Sequence, residues 1–312
     1  MTALELYQQY AGMPSASVPW EEQSEPQPEA GAVVWTFGAG DWYDDSFETI
    51  GECFDWFFEH VDTAKVRAIK VEDWGECYSE DSAPVVRRLV EEAARLPELR
   101  YLFLGEIASE QAEISWIQQS DVTPLLEAYQ GLEVLMVRGG SGLRLGPVRN
   151  ESLRMLGIET GGLPGEVVRG IGDSDLPALE HLELWLVVSH YGGDTTVGDC
   201  AGILSGERLP KLRYLGLRDS EIADEIAAAV AAAPVVARLE TLSLGMGTLG
   251  DDGAEALLSG QPLTHLRTLD LQHHFISKAM RARITAALPE VVVNLSDALQ
   301  EQYHSPYVAV SE

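Results

Sequence analysis

The sequence predicts an α/β solenoid in which a parallel β-sheet lines the concave face, helices form the convex face, and about ten repeats follow one another. Three observations predict it. The pattern of Leu99, Leu102 and Leu104 recurs from Leu132, Leu153, Leu179, Leu212, Leu239 and Leu266 with its three-then-two spacing intact, Val137 and Ile158 replacing two of the closing leucines. Helix-period segments alternate with these short apolar runs. No unit of this length can bury its own apolar face, so stacking the units is what creates a core.

Residues 1–31 read as a lead-in or cap, extended over 11–31 because Pro14, Pro19, Pro26 and Pro28 punctuate it. The repeat domain then runs over 32–295, and 296–312 form a tail. Val33–Phe37 is the first strand, Val66–Val71 the second and Val291–Leu295 the last, with the leucine-patterned strands between them. Counting first positions from Ala32 through residues 66, 99, 132, 153, 179, 212, 239, 266 and 290, the steps range from 21 to 34 residues, so the longest carry insertions. Helices are predicted over Ser46–His60, Asp81–Leu96, Ser220–Ala233, Asp251–Ser259 and Ser277–Leu288. Pro84 is compatible with the second of these because it falls in the first turn. Gly139-Gly140, Gly161-Gly162 and Pro164 leave room for only a short helix or turn over 139–172.

Fifty acidic residues against 21 Lys plus Arg give a net charge of −29. Nucleic acid and anionic membranes are excluded as expected partners, since both select a basic footprint. The expected partner is a protein, and this surface favours a basic one. Cys53, Cys77 and Cys200 lie far apart, which suits a reducing compartment, and no apolar run reaches the ~20 residues that span a bilayer. Met1–Glu5 has no basic, apolar leader character. A cytoplasmic setting follows as the expectation.

The segment Leu239–Leu258, with Leu249-Gly250-Asp251-Asp252-Gly253-Ala254 turning into a helix, resembles the leucine-rich repeat superfamily in its ribonuclease-inhibitor-like type; 212–230 and 266–288 match more loosely. The chain as a whole resembles small bacterial cytosolic proteins of this kind. The resemblance implies ligand or protein recognition rather than a particular activity. One departure is consistent: where the family places Asn, this chain has Ile107, Gly140, Gly161, Val187, Ser220, Gly247 and His274, so turn geometry is expected to rest on glycine flexibility and packing.

Stacked strands align equivalent positions into columns about 4.8 Å apart. Arg100, Glu133, Arg154, Glu180, Arg213, Glu240 and Arg267 alternate in sign down one column, which predicts a register-holding charge ladder. In the neighbouring columns Tyr101, Phe103, Val134, Met136 and Met155 form an apolar patch on the concave face. His181, Glu183, Tyr214, Thr241 and Asp270 continue those columns as a polar wall. Arg138, Trp185 and Arg218 rim them. Either the patch receives a partner, or the insertion over 105–121 folds back to cover it. A second candidate is the loop edge, where Asp41, Trp42, Asp44, Asp73 and Trp74 follow the first two strands; carboxylates there also suit helix N-termini.

Gly245-Met246-Gly247-Thr248-Leu249-Gly250 has the spacing of a dinucleotide-binding turn, but repeat periodicity explains it and Asp251 and Asp252 would repel a pyrophosphate. His181, His190, His273 and His274 show no metal-ligand spacing, and no nucleophile elbow or phosphate loop is present. No cofactor, metal or catalytic residue is assigned. The expectation is a non-enzymatic protein-binding module acting through the concave face and the N-terminal loop edge. An enzyme or substrate-docking subunit built on the acidic-aromatic pocket, and a self-assembling structural protein, are the alternatives.

Overall fold

A computed structural model describes residues 1–18, 27–39, 49–186, 188–299 and 305–310. The strands are β1 (Ser15–Val18), β2 (Val34–Phe37), β3 (Ala68–Val71), β4 (Tyr101–Leu104), β5 (Val134–Arg138), β6 (Met155–Glu159), β7 (His181–Trp185), β8 (Tyr214–Arg218), β9 (Thr241–Ser243), β10 (Thr268–Asp270) and β11 (Val292–Asn294). Every neighbouring pair is parallel, and the order in the sheet is the order in the sequence.

The helices are α1 (Ala3–Ala11), α2 (Ile50–His60), α3 (Ala83–Glu91), α4 (Thr123–Ala128), α5 (Gly165–Asp173), α6 (Ala201–Ser205), α7 (Ala223–Val230), α8 (Asp251–Ser259) and α9 (Lys278–Ala287). From α2 onward each helix follows a strand, and its apolar face joins the inward-facing apolar residues of that strand in one continuous interior. Leu102, Leu135, Leu156, Leu182, Leu215 and Leu242 are fully buried because the register sets each beside its neighbour. Proline occupies the first turn of α3 and of α4, where its missing N–H costs nothing.

Ahead of the stretch read as extended, the lead-in begins with a helix. Thr2 caps α1, and Glu5 reaches back to the Thr2 N–H in a reciprocal box. β1 adds a strand beyond the ten counted from the sequence. It alternates exposed serines with buried Ala16 and Val18, and as an edge strand it tolerates Pro14 beside it. The insertion over 105–121 does not cover the concave patch. It buries Ile107 and Ile117 in the main interior and continues as isolated parallel bridges, Gln118 to Ser141 and Asp121 to Arg144.

Turn geometry also departs from expectation. Left-handed backbone falls one residue before the expected Asn position, at Gly139, Asp219, Met246 and His273, and only the first of these is glycine. Gly140 and Gly247 instead allow close approach. A Cβ there would lie 2.5 Å from the Gly162 carbonyl and 2.7 Å from the Ser220 carbonyl. Buried His274 takes over the bridging task, accepting from the Ile276 N–H at Nδ1 (3.0 Å) and meeting the Leu295 carbonyl through Nε2 (3.3 Å). Val187 lies outside the described residues. Among the described residues, no helix is long and apolar enough to cross a membrane.

Candidate concave-face binding site

Parallel register sets the side chains of alternate strand positions in rows across the concave face. One row runs Val34, Ala68, Tyr101, Val134, Met155, His181, Tyr214 and Thr241; the next runs Lys70, Phe103, Met136, Gly157, Glu183, Gly216, Ser243, Asp270 and Asn294. From β4 onward both rows change from apolar to polar between β6 and β7, while Lys70 on β3 is paired with Glu72 and Glu106. Gly157 lies at that boundary, where a Cβ would meet the Met136 sulfur at 2.4 Å, so the missing side chain is what lets Met136 lie flat.

The apolar half has an occupant. Helix α1 lies across it, and Ala3, Leu6 and Tyr10 pack with Tyr101, Phe103, Val134, Met136 and Met155 into a cluster separate from the main interior. Each of these five sheet residues is at most 5% exposed. Tyr10 stacks on Tyr101 with ring centroids 5.4 Å apart, and the Arg67 guanidinium donates to the Tyr10 hydroxyl at 3.2 Å. At the other end, Glu180 Oε2 accepts from the Ala3 N–H (3.2 Å), and Arg154 Nη2 donates to the Met1 carbonyl (2.5 Å). Burial raises the Tyr10 phenol above its ordinary pKa, with Arg67 opposing.

The charge ladder is present in part and is shared with α1. Arg154 and Glu180 pair at 2.9 Å, Arg267 and Glu240 at 3.1 Å, and Arg100 and Glu133 at 3.8 Å. Glu180 thus bonds to Arg154 on one side and to the start of α1 on the other.

The polar half forms one connected network with Glu183 at its centre. Tyr214 donates its hydroxyl to Glu183 Oε2 at 2.5 Å, while Trp185 Nε1 (3.2 Å) and Arg218 Nη1 (3.3 Å) donate to Oε1. Arg218 also lies 3.8 Å from Asp270, which accepts from Ser243 and Asn294 at 2.8 Å each. His181 stacks flat on Tyr214 with centroids 3.7 Å apart, and its burial depresses the imidazole pKa to about 4. Burial and the Glu183 charge together push the Tyr214 phenol above its ordinary range. These side chains are held in single orientations before any ligand arrives. A hollow of about 410 Å³ opens beside them, between the first residues of α1 and His181, Arg213, Tyr214 and Thr241. Arg138 is anchored separately, to Glu159 at 2.8 Å and above the Phe103 ring.

The loop edge is put together differently. Asp41, Trp42 and Asp44 lie outside the described residues. Asp73 is buried, accepts from the Gly75 N–H at 3.2 Å, and has its carboxyl pushed up to about 6 by that burial. Trp74 is also buried and donates to the Glu80 carbonyl at 2.9 Å. Both residues fix their turn. Among the described residues, the aromatic rings exposed at this edge are Tyr78 and Trp116, brought to neighbouring turns by the bond from the Gln118 N–H to the Cys77 carbonyl. Trp116 sits in an insertion that sequence reading treated only as a possible cover. Among the described residues no group of three or more His, Cys, Asp or Glu side chains could hold a metal ion.

A leucine-rich repeat family model matches residues 239–258, the β9–α8 unit. A crystal structure of a Bacteroides fragilis protein superposes with a TM-score of 0.78 at 28% identity, covering 89% of this chain and 77% of that one. This is a leucine-rich repeat solenoid. An internalin from Listeria monocytogenes aligns over 74% of this chain and 72% of its own at 17% identity, with a TM-score of 0.30. No curated protein matches the chain. Leucine-rich repeat solenoids, like other stacked repeats, offer an extended concave surface to binding partners.

Proposed function

We propose that this protein is a non-enzymatic interaction module that binds a protein partner on the concave face of its repeats. The observation that carries this reading is the Glu183 network. Trp185, Tyr214 and Arg218 belong to the residue types that dominate interface energetics, and each is held here by a hydrogen bond to one carboxylate, with Tyr214 also lining an open hollow. In this network Glu183 accepts from Trp185, Tyr214 and Arg218, and Asp270 from Ser243 and Asn294, so the carboxylates serve to orient the side chains around them. The loop edge has a supporting role in the proposal, through Tyr78 and Trp116 beside Asp73 and Trp74.

Helices rather than extended segments on the convex side support the ribonuclease-inhibitor-like type. Cys53, Cys77 and Cys200, all buried and unlinked, support a reducing, cytoplasmic setting, and the likeness to a Bacteroides protein supports a bacterial one.

The test is affinity capture from the native cell with the full chain and with its Trp185→Ala variant, compared by quantitative mass spectrometry. Truncating an anchor of this kind costs about 2 kcal/mol or more. At least one protein should therefore be retained about tenfold less by the variant, whose melting temperature is checked alongside. Equal recovery of every captured protein by the two chains would sink the reading.

A further inference from the structure

We infer that the apolar half of the concave face is a helix-binding groove whose functional occupant is an amphipathic helix of a partner protein, and that α1 holds this groove until such a helix displaces it. The inference rests on reading the concave face as the binding face and goes on to name the kind of partner. Its chemistry is written in α1. Ala3, Leu6 and Tyr10 are the buried residues of the helix and fall at i, i+3 and i+7, the anchor spacing by which a helix lies in a groove.

The groove reads direction as well as shape. Glu180 accepts from the Ala3 N–H, one of the donors that a helix leaves unsatisfied in its first turn, and Arg67 meets the tyrosine hydroxyl at the far end. A partner helix therefore lies with its N-terminus toward β7, carrying a small residue, a leucine and a tyrosine in that order.

Three features make α1 replaceable. Its contacts form a cluster apart from the interior that holds the repeats together, so lifting it leaves that interior whole. At nine residues it is shorter than the ~12–15 at which an isolated helix becomes even marginally stable in water, so its order depends on docking. The hollow beside Met1–Leu4 leaves room for the residues that precede a partner helix.

The experiment uses the full chain and a fluorescein-labelled peptide of residues 1–13 as the probe. In a Leu6→Asp, Tyr10→Ala chain the built-in helix no longer competes, so the probe should bind with an affinity about tenfold or more above that for the wild-type chain. A probe that itself carries Leu6→Asp should not bind. Equal binding by the two chains, with the main melting transition of the variant unchanged, overturns the inference. Hydrogen exchange on the wild-type chain tests it without substitution: the amides of Leu6–Ala11 should exchange through local opening while those of β5 stay protected. If α1 exchanges only when the sheet does, it is a fixed part of the fold and the inference fails. A wild-type dimer in sedimentation that Leu6→Asp dissolves would assign the groove to a second copy and overturn the partner assignment. Trp185 is outside the α1 cluster, so a failure here leaves the capture result above intact.

Discussion

Asp219 brings together the demands on a single residue in this fold. It ends β8 in a left-handed turn, accepts from the Val310 N–H at 3.0 Å through Oδ1, and is 1% exposed, with Oδ2 buried and lacking a hydrogen-bond partner among the described residues. Burial pushes its carboxyl up to about 7. An unfolded Asp titrates near ~3.9, so between about pH 4 and pH 7 the folded chain holds more proton than the unfolded one, and stability falls as pH rises through that window. Asp219→Asn keeps an acceptor for Val310 and removes the charge. It should raise unfolding free energy by about 1–3 kcal/mol at pH 8, and the gain should vanish toward pH 4. Denaturant melts of both chains across that range check it; a gain independent of pH would place the effect elsewhere. His181 titrates in the opposite sense. Its depressed pKa means that the neutral form is the folded one, so its contribution is lost as pH falls below about 6.5 toward 4. The three thiols, each pushed up to about 12 by burial, stay protonated across all these conditions.

Among the elements, the charge column and α1 are joined through Glu180. Glu180→Arg would set three arginines in sequence down the column, at 154, 180 and 213, and take away the acceptor for the Ala3 N–H. The variant should lose about 1–2 kcal/mol of stability. Thermal melts at low and high salt check this, and a variant that melts like wild type would reject a structural role for the column. The elements also mark how far the sequence could be read. Strands β2 to β11 were legible because each closing apolar residue, most often leucine, fills an equivalent slot beside the one before, so a single physical requirement prints similar letters repeatedly. Helix α8 was legible to the residue, since Gly250 and Ser259 bracket one clean apolar stripe. The short helices α4 and α6 carry too few residues to show a period. For α1 a local signal existed in the Thr2–Glu5 capping pair, but its destination is set by surfaces far away in sequence. The Trp185, Tyr214 and Arg218 rim could be listed from its columns. That one carboxylate would bind all three depends on side-chain directions that no spacing encodes.

For the whole molecule, repeats that touch only their neighbours make each interface carry the continuity of the stack. Leu215 is fully buried on β8, between Leu182 and Leu242. Leu215→Ala should cost about 2–5 kcal/mol, read as an earlier urea midpoint for the whole sheet; a loss confined to the C-terminal repeats would mean that the stack unfolds in pieces. Helix α1 breaks the neighbours-only rule. Its Ala3 N–H meets a carboxylate 177 residues later in the chain, whereas each strand meets the one just before it. Synthesis from the N-terminus therefore produces this helix well before Glu180, the acceptor at its start. At ~5–20 residues per second, roughly 10–35 s separate the emergence of the two, and during that time Tyr101, Phe103 and Val134 appear before that anchor does. The helix is thus made early and fully anchored only late. For that period the apolar surface of β4 to β6 lacks the contact that pins α1 at its start, which is when a chaperone or a waiting partner helix competes with α1 on the most even terms.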